Sequence, residues 1–197
     1  MVWRRLGLAV TVCVVAMLVA GGCVGVFSSA PPDNVAFASV TDLQQLDGRY
    51  RNRGEGAPDA QWSTFLSALI FPGDKTLAHA SIAAIDVRAT SATTLAVRAL
   101  DAQGIVVKEA AFVRGREFEL KEGRLRISTR FAVSPFIESE ASDNPFIGPM
   151  TETIELGIDL RGHGKYRSST FVAGLAYLFM PLVGGGSDQV RFERIEE

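Results

Sequence analysis

Beyond about residue 80, apolar and polar residues alternate. Ile85 and Val87 fall on one side of a pleated strand, with Asp86 and Arg88 on the other; Leu95, Val97 and Ala99 share a side between Thr94 and Leu100. Phe118 and Leu120 oppose Glu117, Glu119 and Lys121. The clearest stretch runs from Arg124 to Val133, where Leu125, Ile127, Phe131 and Val133 oppose Arg124, Arg126, Ser128 and Arg130. Thr153 to Arg161 repeats it, with Ile154, Leu156, Ile158 and Leu160 against Glu155, Asp159 and Arg161. A long apolar strand is predicted from Phe171 to Leu182, and a last one from Val190 to Ile195. Turn signals separate these runs: Asp101-Ala102-Gln103-Gly104, Arg114-Gly115-Arg116, the two-residue Glu122-Gly123, Arg161-Gly162-His163-Gly164 and Gly184-Gly185-Gly186.

About eight or nine short strands at this spacing predict an all-β fold with minor α content, an antiparallel up-and-down barrel over residues 40–197. The outer face is polar, which excludes a porin-type barrel, whose outside is apolar. This pattern resembles the lipocalin-like or calycin class of barrels, at the level of architecture alone. Before the alternation begins, Trp62, Phe65, Leu66, Leu69 and Ile70 lie at helical spacing. They predict one short helix near residues 60–70, with Asp59 as cap and Phe71-Pro72-Gly73 as stop. The helix packs on or across the sheet, or plugs the barrel mouth. In Leu46-Asp47-Gly48-Arg49-Tyr50-Arg51-Asn52, Gly48 permits a bend and Tyr50 closes one end of the core. Residues 23–39, with Pro31-Pro32, are expected to form a flexible tether.

The start of the chain has a different pattern. Arg4-Arg5 is followed by 17 uncharged residues, Leu6 to Gly22, ending in Ala20-Gly21-Gly22 and then Cys23. A positive start, an apolar middle and small residues at the end form an export signal, here residues 1–22. The stretch Leu18-Val19-Ala20-Gly21-Gly22-Cys23 resembles the lipobox of bacterial lipoproteins, with Ala20 where that pattern usually has Leu. The resemblance implies that Cys23 becomes the lipidated first residue of the mature chain. Several acyl chains hold a domain firmly at a membrane, where one holds it only marginally. Val24, where an Asp would favour inner-membrane retention, implies the periplasmic face of the outer membrane. The alternatives are a spanning anchor, since 17 residues approach the roughly 20 a spanning helix needs, and an ordinary secretory signal cut elsewhere.

Charge and chemistry narrow the function. The leader carries two arginines and no acid, so the formal charge of −2 becomes −4 without it. A mildly acidic surface without a basic run gives no nucleic-acid partner. No cysteine follows Cys23, so no internal disulfide and no thiolate metal site are available. Only His79 and His163 exist, without metal-ligand spacing, and no nucleophile elbow or phosphate loop occurs. No catalytic residue, metal or cofactor is therefore assigned, and the chain is read as a non-enzyme. Strand carboxylates such as Asp86, Glu117, Glu119, Glu155 and Asp159 are expected on a solvated face. Between Ser134 and Met150, Pro-Phe-Ile occurs twice around an acidic piece. Phe136, Ile137, Phe146 and Ile147 are the candidate contacts for a partner or ligand. Two functions follow. One is a membrane-anchored periplasmic lipoprotein acting as a binding or assembly module of the cell envelope. The other is a carrier of a lipid or other apolar small ligand inside the barrel.

Overall fold

In the computed structural model, residues 23–58, 64–134, 146–176 and 180–195 are described. The chain is mostly β. Eleven strands are described: β1 (Cys23–Ser29), β2 (Gly48–Arg51), β3 (Ala84–Ser91), β4 (Thr94–Leu100), β5 (Val106–Val113), β6 (Glu119–Lys121), β7 (Arg124–Ser134), β8 (Phe146–Ile158), β9 (Gly164–Ala176), β10 (Met180–Phe192) and β11 (Arg194–Ile195). They form a six-stranded sheet ordered β1-β10-β9-β8-β7-β6 and a five-stranded sheet ordered β11-β2-β3-β4-β5. The chain divides into two compact units. Unit 1 comprises Met1–Phe27, Arg130–Glu152 and Thr170–Gly186, and unit 2 comprises Ser28–Thr129, Thr153–Ser169 and Ser187–Glu197. Among the described residues no helix is long and apolar enough to cross a membrane.

Unit 2 follows the alternation closely. Strands β3 and β4 pair antiparallel, Val87 opposite Val97 and Ile85 opposite Ala99, and β5 joins the far side of β4. Ile85, Leu95, Val97 and Ala99 are buried, as their shared side predicts. Asp101 shapes the β4–β5 turn, where its Oδ1 accepts from the backbone N–H of Gln103 (2.9 Å) and Ile105 (2.8 Å). The two-residue link between β6 and β7 has Glu122 at φ 51° and Gly123 at φ 71°, the left-handed pair that suits a tight hairpin. A Cβ on Gly123 would also sit 2.7 Å from the Cα of Ser39. Within this unit isolated bridges lie outside the regular strand ladders. At one, Glu55 bridges Arg191, and Arg51 N–H donates to Glu193 C=O at 2.8 Å. At another, Arg114 bridges Phe118.

The segment from Leu46 to Asn52 organises the unit's interior. The Tyr50 hydroxyl donates back to Leu46 C=O at 2.9 Å. Asn52, wholly buried, uses its amide three times. Its Nδ2 donates to the carbonyls of His79 (2.7 Å) and Ile82 (3.0 Å), and its Oδ1 accepts from Ser67 N–H (2.8 Å). These bonds fasten strand β2 to the 3₁₀ turn His79–Ser81 and to the helix α1 (Leu66–Ile70).

Several expectations change. The helix begins at Leu66 rather than near 60, because Phe65 is extended and bridges Arg53 while Leu66 N–H donates to Asn52 C=O. Asp59, Gln61 and Trp62 lie outside the described residues. Residues 23–39, expected as a tether, carry β1 and are then held down: Phe37 bridges Asp159, and Ala38 N–H donates to Ile158 C=O at 2.9 Å. Gly184-Gly185-Gly186, expected to turn the chain, lies within β10, and the strand predicted over Phe171 to Leu182 is two strands that end at Ala176 and begin at Met180. Close approach bears on one of these glycines: a Cβ on Gly185 would stand 3.0 Å from Thr170 C=O, whereas one on Gly186 would make an ordinary contact at 3.5 Å with Phe27 C=O.

Candidate functional site

Unit 2 contains a partly open apolar cavity of about 110 Å³. Strands of both sheets supply its wall, with Tyr50 from β2, Val87 from β3, Leu95 and Val97 from β4, Phe112 from β5, Leu125 and Ile127 from β7, Leu156 from β8 and Phe192 from β10. Helix α1 adds Leu66 and Ile70. Inward-facing residues of alternating strands therefore fill most of the interior and leave a small void. The polar groups on the wall are engaged. Burial pushes the Tyr50 hydroxyl up to about 12, so it stays neutral and bonded to Leu46. Glu117 accepts from Val113 N–H at 2.8 Å and pairs with Arg116; the backbone bond, then the guanidinium, hold its carboxyl below the ordinary range. Such a void accepts apolar matter and offers little to a polar ligand.

A second feature of unit 2 is ionic. Glu155 on β8 is 3% exposed. It receives Arg167 Nε from β9 at 2.9 Å, with a second bond from Arg167 Nη2, and Arg124 and Arg126 from β7 at 3.4 Å each. Burial alone would raise the Glu155 carboxyl; the Arg167 bond and the neighbouring guanidinium charges outweigh it and hold the group below the usual range. The Phe37 ring lies under Arg124 and Lys165, each 5.1 Å from its centroid, and Arg167 at 5.7 Å. Lys165 Nζ also donates to Asn34 Oδ1 at 2.6 Å and to Val35 C=O. Burial lowers the Lys165 ammonium. The arrangement clamps residues 34–37 rather than presenting a free reactive group.

This corrects the expectation of a solvated carboxylate face. Asp86, Glu155 and Asp159 are buried, whereas Glu119 is exposed as its position in the alternation predicts. Glu155 is covered because the strands β7 and β9 aim three arginines at it. Asp159 is covered because its Oδ1 accepts the N–H groups of Arg161 (2.8 Å) and His163 (3.0 Å) at the β8–β9 turn. Asp86 lies 3.5 Å from Arg88 Nε.

No protein-family model, curated protein or solved structure matches this chain. The site therefore rests on its geometry. Cys23 is the first residue of β1, which neighbours β10 in the sheet. Phe146 and Ile147 belong to β8, separated from β1 by the two strands β9 and β10, so Cys23 and this pair are not on neighbouring strands. Phe136 and Ile137 lie outside the described residues. His79 Nδ1 is 3.0 Å from the Ser67 hydroxyl, and His163 Nδ1 accepts from Arg194 N–H at 3.1 Å, so both rings join structural bonds. Sequence reasoning missed the Glu155 cluster and Asn52. The first was readable in part: Arg124, Arg126 and Glu155 are on the polar sides of predicted strands, whereas Arg167 precedes the strand predicted from Phe171. Asn52 had no signal beyond its place after Tyr50.

Proposed function

We propose that the chain is a membrane-anchored lipoprotein of the bacterial envelope, held at the periplasmic face of the outer membrane by acylated Cys23. In this reading unit 2 is an antiparallel barrel that serves as a binding or assembly module. The observation that carries the reading is the junction at Cys23. The export-type segment ends in the sequence just before Cys23, and Cys23 is itself a residue of strand β1, so a lipid on it would pull directly on a sheet strand. Closure of unit 2 is supported by the bridges Glu55–Arg191 and Arg114–Phe118, and by a cavity walled by both sheets. Cys23→Ser is expected to abolish incorporation of labelled fatty acid while leaving the far-ultraviolet circular dichroism of the domain unchanged. Labelling that persists in this variant would overturn the anchor.

A second reading is favoured by the cavity itself. Its volume of about 110 Å³ compares with the roughly 150 Å³ apolar void that admits benzene. A carrier role would thus concern a single ring or a short hydrocarbon rather than a whole lipid. Native mass spectrometry after mild purification tests it, with benzene or xenon as the added probe. Narrowing the void by Val97→Ile is expected to weaken probe uptake. Equal uptake by both proteins would remove this reading.

A further inference from the structure

Unit 1 contains a stretch unlike any in unit 2. From Thr170 to Gly186 the sequence has no charged residue. Strand β9 supplies residues up to Ala176 and β10 resumes at Met180. A strand facing water on one side places polar residues there. Here the exposed positions are apolar: Phe171 is 53% exposed, Leu175 41% and Val183 46%. Phe27 of β1, beside Gly186 on β10, is 77% exposed.

The two described pieces of this stretch have strands on either side. Strands β9 and β10 are interior strands of their sheet, flanked by β8 and β1. Hydrocarbon tolerates a strand only when its N–H and C=O groups are paired on both edges. The seven-residue pieces Thr170 to Ala176 and Met180 to Gly186 each reach roughly 23 Å at a strand rise of about 3.3 Å. That exceeds half of a hydrocarbon core of about 30 Å. A protein partner would fit less well, because a typical protein interface carries about ten direct hydrogen bonds and a polar rim. We propose that the described pieces of β9 and β10, Thr170 to Ala176 and Met180 to Gly186, sit in the hydrocarbon of a lipid bilayer. The inference deepens the membrane reading above but does not need Cys23 to be acylated.

The test uses the full chain with Cys13→Ala, reconstituted into phosphatidylethanolamine–phosphatidylglycerol vesicles. An environment-sensitive fluorophore is placed at Leu175→Cys and, as a reference in unit 2, at the exposed turn residue Gln103→Cys. The chain without either new cysteine is labelled in parallel and its signal subtracted. The expected result at 175 is a blue-shifted emission, protection from aqueous iodide and quenching by nitroxide-labelled lipids, with the opposite at 103. An iodide-quenched, water-like emission at 175 overturns the inference. So does protection from both quenchers, which would mean a protein contact in place of lipid. Val183→Cys repeats the measurement if Leu175→Cys alters the circular dichroism. Label taken up by the parent chain marks Cys23 as a free thiol and sinks the anchor alone. An acylated Cys23 with a water-exposed probe at 175 sinks this inference alone.

Discussion

The amide of Asn52 makes a sharp test of how unit 2 is held together. Asn52→Ala removes two bonds to the carbonyls of His79 and Ile82 and one from the Ser67 N–H, at 2.7, 3.0 and 2.8 Å. The side chain is wholly buried, so the three orphaned backbone groups cannot all recover water. A buried polar group left unsatisfied costs about 1–3 kcal/mol. Three of them, softened by local relaxation and by water entering the space, give a loss of roughly 3–5 kcal/mol. With a urea slope of about 2 kcal/mol per molar, the unfolding midpoint is expected to fall by roughly 2 M. Equilibrium unfolding followed by circular dichroism measures it, with Gln103→Ala on an exposed turn as the unchanged control. Asn52→Asp is expected to do no better than Ala, because a carboxylate oxygen would face two carbonyl oxygens. A loss below about 1 kcal/mol for Asn52→Ala, inside the range of a single ordinary bond, would refute the idea that this amide ties β2 to its neighbours.

Two more predictions concern charge and space. Glu155 is held below its ordinary value of 4.5 in the folded chain. Its contribution to stability is therefore complete above that value and is lost as pH falls below it and passes through the lowered one. The urea midpoints of wild type and Glu155→Gln should differ at neutral pH and converge as the solution is acidified into that window; a constant gap would argue against the ion cluster as a stabilising clamp. Gly54→Ala places a methyl against Val190 and 2.7 Å from Phe192 Cε1. Both partners are buried side chains rather than flexible tips, so overpacking should cost about 1–3 kcal/mol, and an unchanged thermal midpoint would contradict the tight packing between these residues.

Much of unit 2 was legible in the sequence, because a period of two is a direct consequence of the pleat and each strand there buries one side. Leu125, Val97 and Ile85 went where their spacing sent them. What the pattern concealed was pairing. Alternation places Arg124, Arg126 and Glu155 on polar sides, but the predicted strand began only at Phe171, so neither Arg167 nor its alignment with Glu155 was visible and a buried ion cluster resembled a solvated face. The tether was misread for a related reason. Phe37 is isolated in a polar, proline-containing segment, and its value lies in three cations brought from distant strands. Phe65 fitted a helical face by spacing, yet the bridge to Arg53 holds it extended. The triple glycine signalled a turn because local propensity favours one there, whereas close backbone approach within β10 gives Gly185 another use. Of the candidate contacts, Cys23 belongs to β1 and Phe146 and Ile147 to β8, a placement in one sheet that local sequence could not convey.

The pairing of β2 with β11 bears on the order in which the chain can acquire its structure. Tyr50 lies opposite Arg194, so one edge of an early strand waits for one of the last. Closing so long a loop costs conformational entropy before any contact rewards it, and folds dominated by such pairings form slowly. The edge of β2 therefore stays open through synthesis until residues 194–195 have emerged. Until then β2 presents an unpaired edge to any other extended segment, so the short β11 also guards that edge against wrong pairing.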